Sequence, residues 1–219
     1  MSSFERKEKN LLYTFLVFAV LYVLIIPISK VIPGLYVLKD IPDVILAVLA
    51  LTAITDIRGQ VLFITYILCA MAGLALDLPI QNAFMIGLAL FLLAHTGYII
   101  VFARDFKWQR GRVWLIVILV LYAAVMAVVM LPFLGGMLFP VYAYMAVVIT
   151  MVVMAALRQS SGRCVLCGAL LFLVSDSALA VNKFLMPLPY ADYIVMVTYY
   201  GAQFLILFGF LREKYRRSA

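Results

Sequence analysis

Apolar runs long enough to cross a bilayer follow one another, almost without a break, from residue 11 to residue 211. The hydrocarbon core of a membrane is about 30 Å thick, so a helix needs about 20 apolar residues to cross it. Scanning at that length predicts eight helices, near 11–29, 41–56, 60–77, 83–103, 113–131, 137–157, 164–181 and 191–211. The connectors between them, such as "DIRG", "LPIQN" and "PFLGGMLFP", are too brief for a soluble domain. A soluble chain is nearer half apolar and a quarter charged; here 68% of residues are hydrophobic and 12% charged. The expected fold is an all-α, polytopic integral membrane helix bundle, a single transmembrane domain over residues 1–219.

The net charge of +7 describes topology rather than a nucleic-acid surface. The basic residues flank apolar runs and form no stripe with aromatic residues between them, so no nucleic-acid partner is expected. With eight spans and both termini cytoplasmic, the inside segments carry 14 of the 17 Lys and Arg. Lys30, Lys39 and Lys183 fall outside. This asymmetry follows the positive-inside rule and supports an even number of spans. The N-terminal "MSSFERKEKN" before an apolar run resembles a secretory signal, but no small-x-small cleavage site follows, and the run reads as an uncleaved first span. Of three cysteines, Cys164 and Cys167 lie one turn apart at a helix start; the chain has one histidine to add to them, too few ligands for a closed zinc site. Structural disulfides are not expected.

Within these runs two carboxylates stand out. Asp176 interrupts "CGALLFLVSDSALAVNKF" and Asp77 closes the third run. A charge in hydrocarbon costs a few kcal/mol at least, so its retention points to function. Steps of three and four place Ala169, Phe172, Asp176, Ala180 and Lys183 on one face, and Cys69, Ala70, Gly73 and Asp77 on another. Small residues beside both acids allow close helix contact, so both acids are expected to face the bundle interior, in its outer half. Lys183 either snorkels to the surface or pairs with Asp176. The eighth run offers Asp192, Met196, Tyr199 and Gln203 on one stripe, with Tyr200 beside it, and the fourth offers Phe91, His95 and Tyr98. His95 is placed toward the inner half, as an interhelical hydrogen-bonding residue apart from the aspartates. The two aspartates lie 99 residues apart and the first and fifth runs start 102 apart, a faint echo of a four-plus-four repeat.

The stretch "GALLFLVSDSALAVNKF", followed by "TYYGAQFLI", closely resembles the YhhN-type lysoplasmalogenases. The earlier "ALDLPIQNAFMIGLALFLLAHTGYIIVF" resembles the family segment in which an aspartate at a helix end precedes an Ala/Ser-His-x-x-Tyr helix. There are departures. Leu76 stands before Asp77 where the family commonly has glycine, "LKDIPDV" stands where a Lys-Pro pair is usual, and Gly201 replaces a frequent alanine. The resemblance implies hydrolysis of the vinyl-ether bond of lysoplasmalogens, with ethanolamine or choline head groups, to a fatty aldehyde and a glycerophospho-base. It implies Asp77 and Asp176 as the catalytic pair. Ser175, Lys183, Tyr199, Tyr200, Gln203, His95 and Asn82 are the candidates to bind substrate or support that pair.

The chemistry agrees. Vinyl ethers resist base but hydrolyse once the β-carbon is protonated, giving an oxocarbenium ion that water captures. Such a site needs one protonated acid and one charged carboxylate, as in glycosidases, and neither metal nor cofactor. Which aspartate is the acid stays open. A proton-coupled transporter of a lipid or small solute would use the same aspartates, but the chain shows no pair of Gly/Pro-broken spans in corresponding positions. A three-histidine zinc amidase is excluded by the single histidine. The expected partners are a single-chain ether phospholipid and the bilayer, with no obligatory protein partner. The expected location is the inner membrane in a bacterium or an endomembrane in a eukaryote.

Overall fold

A computed structural model of the chain describes residues 4–29, 31–32, 34–159 and 163–217, the side chain of the last excepted. Lys30, one of the cations expected outside, lies beyond the described residues. Among them are eight α-helices and no strand beyond an isolated Phe106–Arg158 bridge. They are α1 (Arg6–Ser29), α2 (Ile41–Ala53), α3 (Ile57–Asp77), α4 (Ala83–Ala103), α5 (Val113–Leu134), α6 (Leu138–Ala156), α7 (Arg163–Ala180) and α8 (Ala191–Arg217). A 3-10 turn, Leu35–Asp40, leads into α2, and a turn of π-helix, Val181–Leu185, extends α7.

Six helical stretches are long and apolar enough to cross a membrane, by length and composition. One of them, Arg110–Ala156, reverses at Gly135 and carries both α5 and α6. The helix α2 is not among the six. The run near 41–56 gives only 13 helical residues, about 20 Å of rise, because Ile54 turns to extended backbone and Asp56 caps the next helix. Of the other runs, the first helix begins five residues earlier and the eighth ends six residues later than expected, and the rest start and stop within three residues of their expected positions.

Short connectors force successive helices to alternate direction, so the bundle has one end bearing both termini and a distal end opposite. The most extensive packing joins α7 to α8 and α3 to α4, with α2 on α3 and α6 on α4. At Gly168 of α7 the helices approach so closely that a Cβ would lie 2.8 Å from Ile206 and 2.9 Å from the Ala202 carbonyl of α8. Tyr66, Tyr98, Phe102, Phe172 and Ile206 are fully enclosed at the centre. The helix α5 stays at the periphery, its Val117, Leu121, Val125 and Val128 exposed.

The end bearing the termini is pinned by ion pairs. Arg158, 2% exposed, donates to Asp105 at 2.8 Å and to Glu213 of α8 at 2.9 Å, and its guanidinium lies 4.2 Å from the centre of the Phe210 ring. Arg58 bonds Asp56 at 2.7 Å, and Lys214 pairs with Glu8 of α1 at 2.9 Å. The three cysteines are free thiols, Cys69 buried and Cys167 exposed.

Candidate functional site

The distal end opens into a cavity of about 460 Å³ lined by α1, the 3-10 turn, α3, α4, α7 with its π-turn and α8. Its wall carries four acids, Asp40, Asp77, Asp176 and Asp192, and two lysines, Lys39 and Lys183. A second space adjoins it, a slot of about 70 Å³ between α4, α5, α6 and α7, lined almost wholly by apolar side chains such as Met126, Met130 and Val148. Leu76, Phe84, Phe91, Leu179 and Asp176 line both spaces. Asp176 is thus the one ionisable residue on the wall between a polar chamber and an apolar one.

Asp176 is held from two sides. The Tyr144 hydroxyl on α6 donates to its Oδ2 at 3.0 Å, and His95 Nε2 on α4 faces the same oxygen at 3.5 Å. His95 Nδ1 lies 2.6 Å from the Phe91 carbonyl, which only accepts, so Nδ1 carries a proton. A neutral His95 then offers Asp176 a lone pair, and the two face each other favourably only with a proton between them. The rings of Phe172 and Tyr144 close on His95 at 4.9 and 5.4 Å and leave it fully buried.

This corrects the expected separation of His95 from the aspartates. Through its π-turn α7 runs on to Leu185, so Asp176 sits nine residues, about 14 Å, inside the distal end rather than five. His95 lies about 18 Å along α4 from the same end, and side chains span the remaining difference.

Lys183 is likewise not paired with Asp176. The wider π-turn shifts the register after Ala180, and the Lys183 ammonium rests 5.2 Å from the centre of the Phe84 ring at the cavity rim. The ion pair on the wall is instead Lys39 with Asp77, the acid that ends α3.

The other candidates divide. Ser175 lines the cavity, and its hydroxyl donates to the Val195 carbonyl of α8 at 3.0 Å. Tyr199 also lines it and donates to Asp43 of α2 at 2.6 Å. Gln203, fully buried behind it, donates to the Tyr199 oxygen at 3.1 Å and accepts from Tyr98, while the Tyr66 hydroxyl donates to its carbonyl at 3.1 Å. Tyr200 donates to the Lys39 carbonyl at 2.8 Å. The Tyr-Tyr-x-x-Gln segment of α8 therefore clamps α2 against the bundle. Asn82 precedes α4 with φ +146° and does not line the cavity; Asn182 does.

Sequence reasoning missed Lys39, Asp40, Asp43 and Tyr144 as site residues. Three charged side chains within "KDIPD", at the start of an apolar run, were the available signal. Tyr144 in the sixth apolar run carried none. Asp40 is 9% exposed, and burial pushes its carboxyl up to about 7, opposed by Lys39 and reinforced by Asp77. Among the described residues, no group of three or more His, Cys, Asp or Glu is placed to hold a metal ion.

A family model described as the YhhN family matches residues 34–210. The chain is similar to lysoplasmalogenase TMEM86B of Homo sapiens, 35% identical over 131 residues that cover 60% of this chain and 55% of that one. It is similar to the lysoplasmalogenase of Mycobacterium bovis, 32% identical over 133 residues, 58% of this chain and 51% of that one. A shorter match, 56% identical over 39 residues, joins it to lysoplasmalogenase TMEM86A of Bos taurus, 18% of this chain and 16% of that one. The chain spans about half the length of the curated relatives it matches. No solved structure matches it.

Proposed function

The chain belongs to the YhhN family, and from that premise we propose that it is a lysoplasmalogenase-type hydrolase, cleaving the vinyl-ether bond of a single-chain ether phospholipid. The products are a fatty aldehyde and a glycerophospho-base. The observation that supports this reading best is the place of Asp176 on the wall shared by the polar cavity and the apolar slot. A lysoplasmalogen has its vinyl ether at the junction between a polar head and one hydrocarbon chain. With the head in the cavity and only the first carbons of the chain reaching into the slot, that junction lies against Asp176.

Asp176, with His95 Nε2 3.5 Å away, supplies its proton, adding it to the β-carbon of the double bond while the positive charge spreads onto the ether oxygen. Asp77, held on the cavity wall by Lys39, is the carboxylate that stabilises that charge. Water then adds to the cation, and the hemiacetal collapses to aldehyde and alcohol. Tyr144 orients Asp176, Ser175 ties α7 to α8 and Tyr199 ties α8 to α2. The chain acts as one transmembrane domain with both termini cytoplasmic, which puts the cavity mouth on the outer side.

The test is direct. Protein purified in detergent should release fatty aldehyde from lysoplasmenyl-ethanolamine or -choline with no added cofactor and in the presence of chelator. An alkyl-ether analogue has no double bond to protonate and should bind without turnover. Absence of aldehyde, together with pH-driven uptake of solute by liposomes containing the protein, would establish the transporter reading instead.

A further inference from the structure

Hydration of the oxocarbenium ion leaves two proton transfers that Asp176 and Asp77 do not cover. The attacking water must lose a proton, and the departing glycerol oxygen must gain one. Resting on the vinyl-ether reading above, we propose that Asp40 is a third carboxyl of this reaction, taking the proton of the attacking water and returning it to the leaving oxygen.

The geometry sets Asp40 apart from an ordinary helix cap. It stands at the N-cap of α2, where an aspartate commonly accepts from the amide two or three residues on. Pro42 occupies the second helical position and has no amide hydrogen, and the Asp40 side chain makes no capping bond. It turns instead toward α3, into the space left by Gly73; a Cβ there would lie 2.3 Å from Asp40 Oδ1. Its other oxygen, Oδ2, is buried with no hydrogen-bond partner among the described residues, although the residue lines the cavity. A buried carboxyl with an unsatisfied oxygen is costly to keep unless something occupies it.

The ionisable groups around it have other tasks. Lys39 is paired with Asp77, and Asp43 accepts from Tyr199. Tyr22 of α1 and Asp192 of α8 complete the same wall. Asp40 therefore faces the cavity with a carboxyl displaced toward neutrality by burial, suited to both accepting and donating a proton near pH 7.

The steps balance. Asp176 gives its proton to carbon, and the π pair forms the new C–H bond. Water adds to the cation and its proton goes to the Asp40 carboxylate. In the collapse, the hemiacetal hydroxyl returns a proton to Asp176, its oxygen becomes the aldehyde carbonyl, and the C–O bond breaks as Asp40 protonates the glycerol oxygen. One water is consumed and both groups are restored.

Asp40→Asn keeps size and removes titration. It should lower kcat at least about 30-fold with KM within about threefold, and should abolish the acid limb of the kcat profile. The sign follows from the role: below about 7 Asp40 is protonated and cannot accept, so the parent rate falls as pH falls through that value. Asp40→Glu should restore the limb and part of the rate. Gly73→Ala, which displaces the carboxylate, should mimic Asp40→Asn. An infrared difference spectrum between about pH 6 and about pH 8 should show a carboxyl C=O band that Asp40→Asn removes. Unchanged kcat and profile in Asp40→Asn, or survival of that band, would overturn the third carboxyl while leaving the vinyl-ether reading intact. A parent protein that releases no aldehyde would overturn both.

Discussion

The two ends of the bundle handle buried charge in opposite ways. At the end bearing the termini, Arg158 reaches Asp105 and Glu213 together, and Lys214 reaches Glu8, so cations and acids meet in close pairs. At the distal end, four acids and two lysines share one cavity, where Lys39 pairs with Asp77. The first arrangement locks α1, α6 and α8 and the loop after α4 in register. The second carries an excess of carboxyl groups, one with a bare oxygen, around an open space. Paired charge serves cohesion at the first end, and carboxyl groups gathered around an open cavity leave reactive groups at the second.

Substitutions at the two ends should therefore fail differently. The largest effect is expected from Asp176→Asn, which should cut turnover at least about 100-fold with helix content and thermal midpoint unchanged. A well-folded, nearly fully active Asp176→Asn protein would place Asp176 with the cohesive charges. Arg158→Met should do the reverse, leaving kcat of the folded protein within about twofold and costing about 3 kcal/mol, because buried Glu213 loses the guanidinium that pairs with it; a heat-inactivation series reads this. An intermediate effect is expected of His95→Gln, which removes the lone pair facing Asp176: about tenfold in kcat, with little change in thermal midpoint. The smallest belongs to Lys183→Met. Its ammonium rests on Phe84, so KM should change by about threefold or less, with the pH optimum fixed. A moved optimum would mean that Lys183 swings to Asp176 when substrate is bound.

Much of this contrast was legible before any coordinates. The apolar runs place the helices because membrane length is a strong constraint; both Asp77 and Asp176 line the cavity, although Asp77 at its rim is exposed. What stayed hidden depends on departures from regular helix. The π-turn moves Lys183 off the Asp176 face and lengthens α7, and that brings His95 level with Asp176. The early end of α2 leaves "LKDIPD" at the cavity rather than in a surface connector, and the same stretch departs from the family's usual Lys-Pro. Periodicity assumes a uniform turn, and a local change of turn is invisible to it.

The two-chambered site also bears on what becomes of the products. In the proposed reaction, cleavage at the Asp176 wall would leave the glycerophospho-base among the charged side chains, fully water-soluble and free to leave by the distal mouth. The proposed aldehyde would start at the apolar slot, with the hydrocarbon interior as its natural solvent. The two halves thus partition into different phases as soon as they separate. Their re-encounter becomes rare, and the readily reversible addition of the alcohol back onto the aldehyde is suppressed by geography alone.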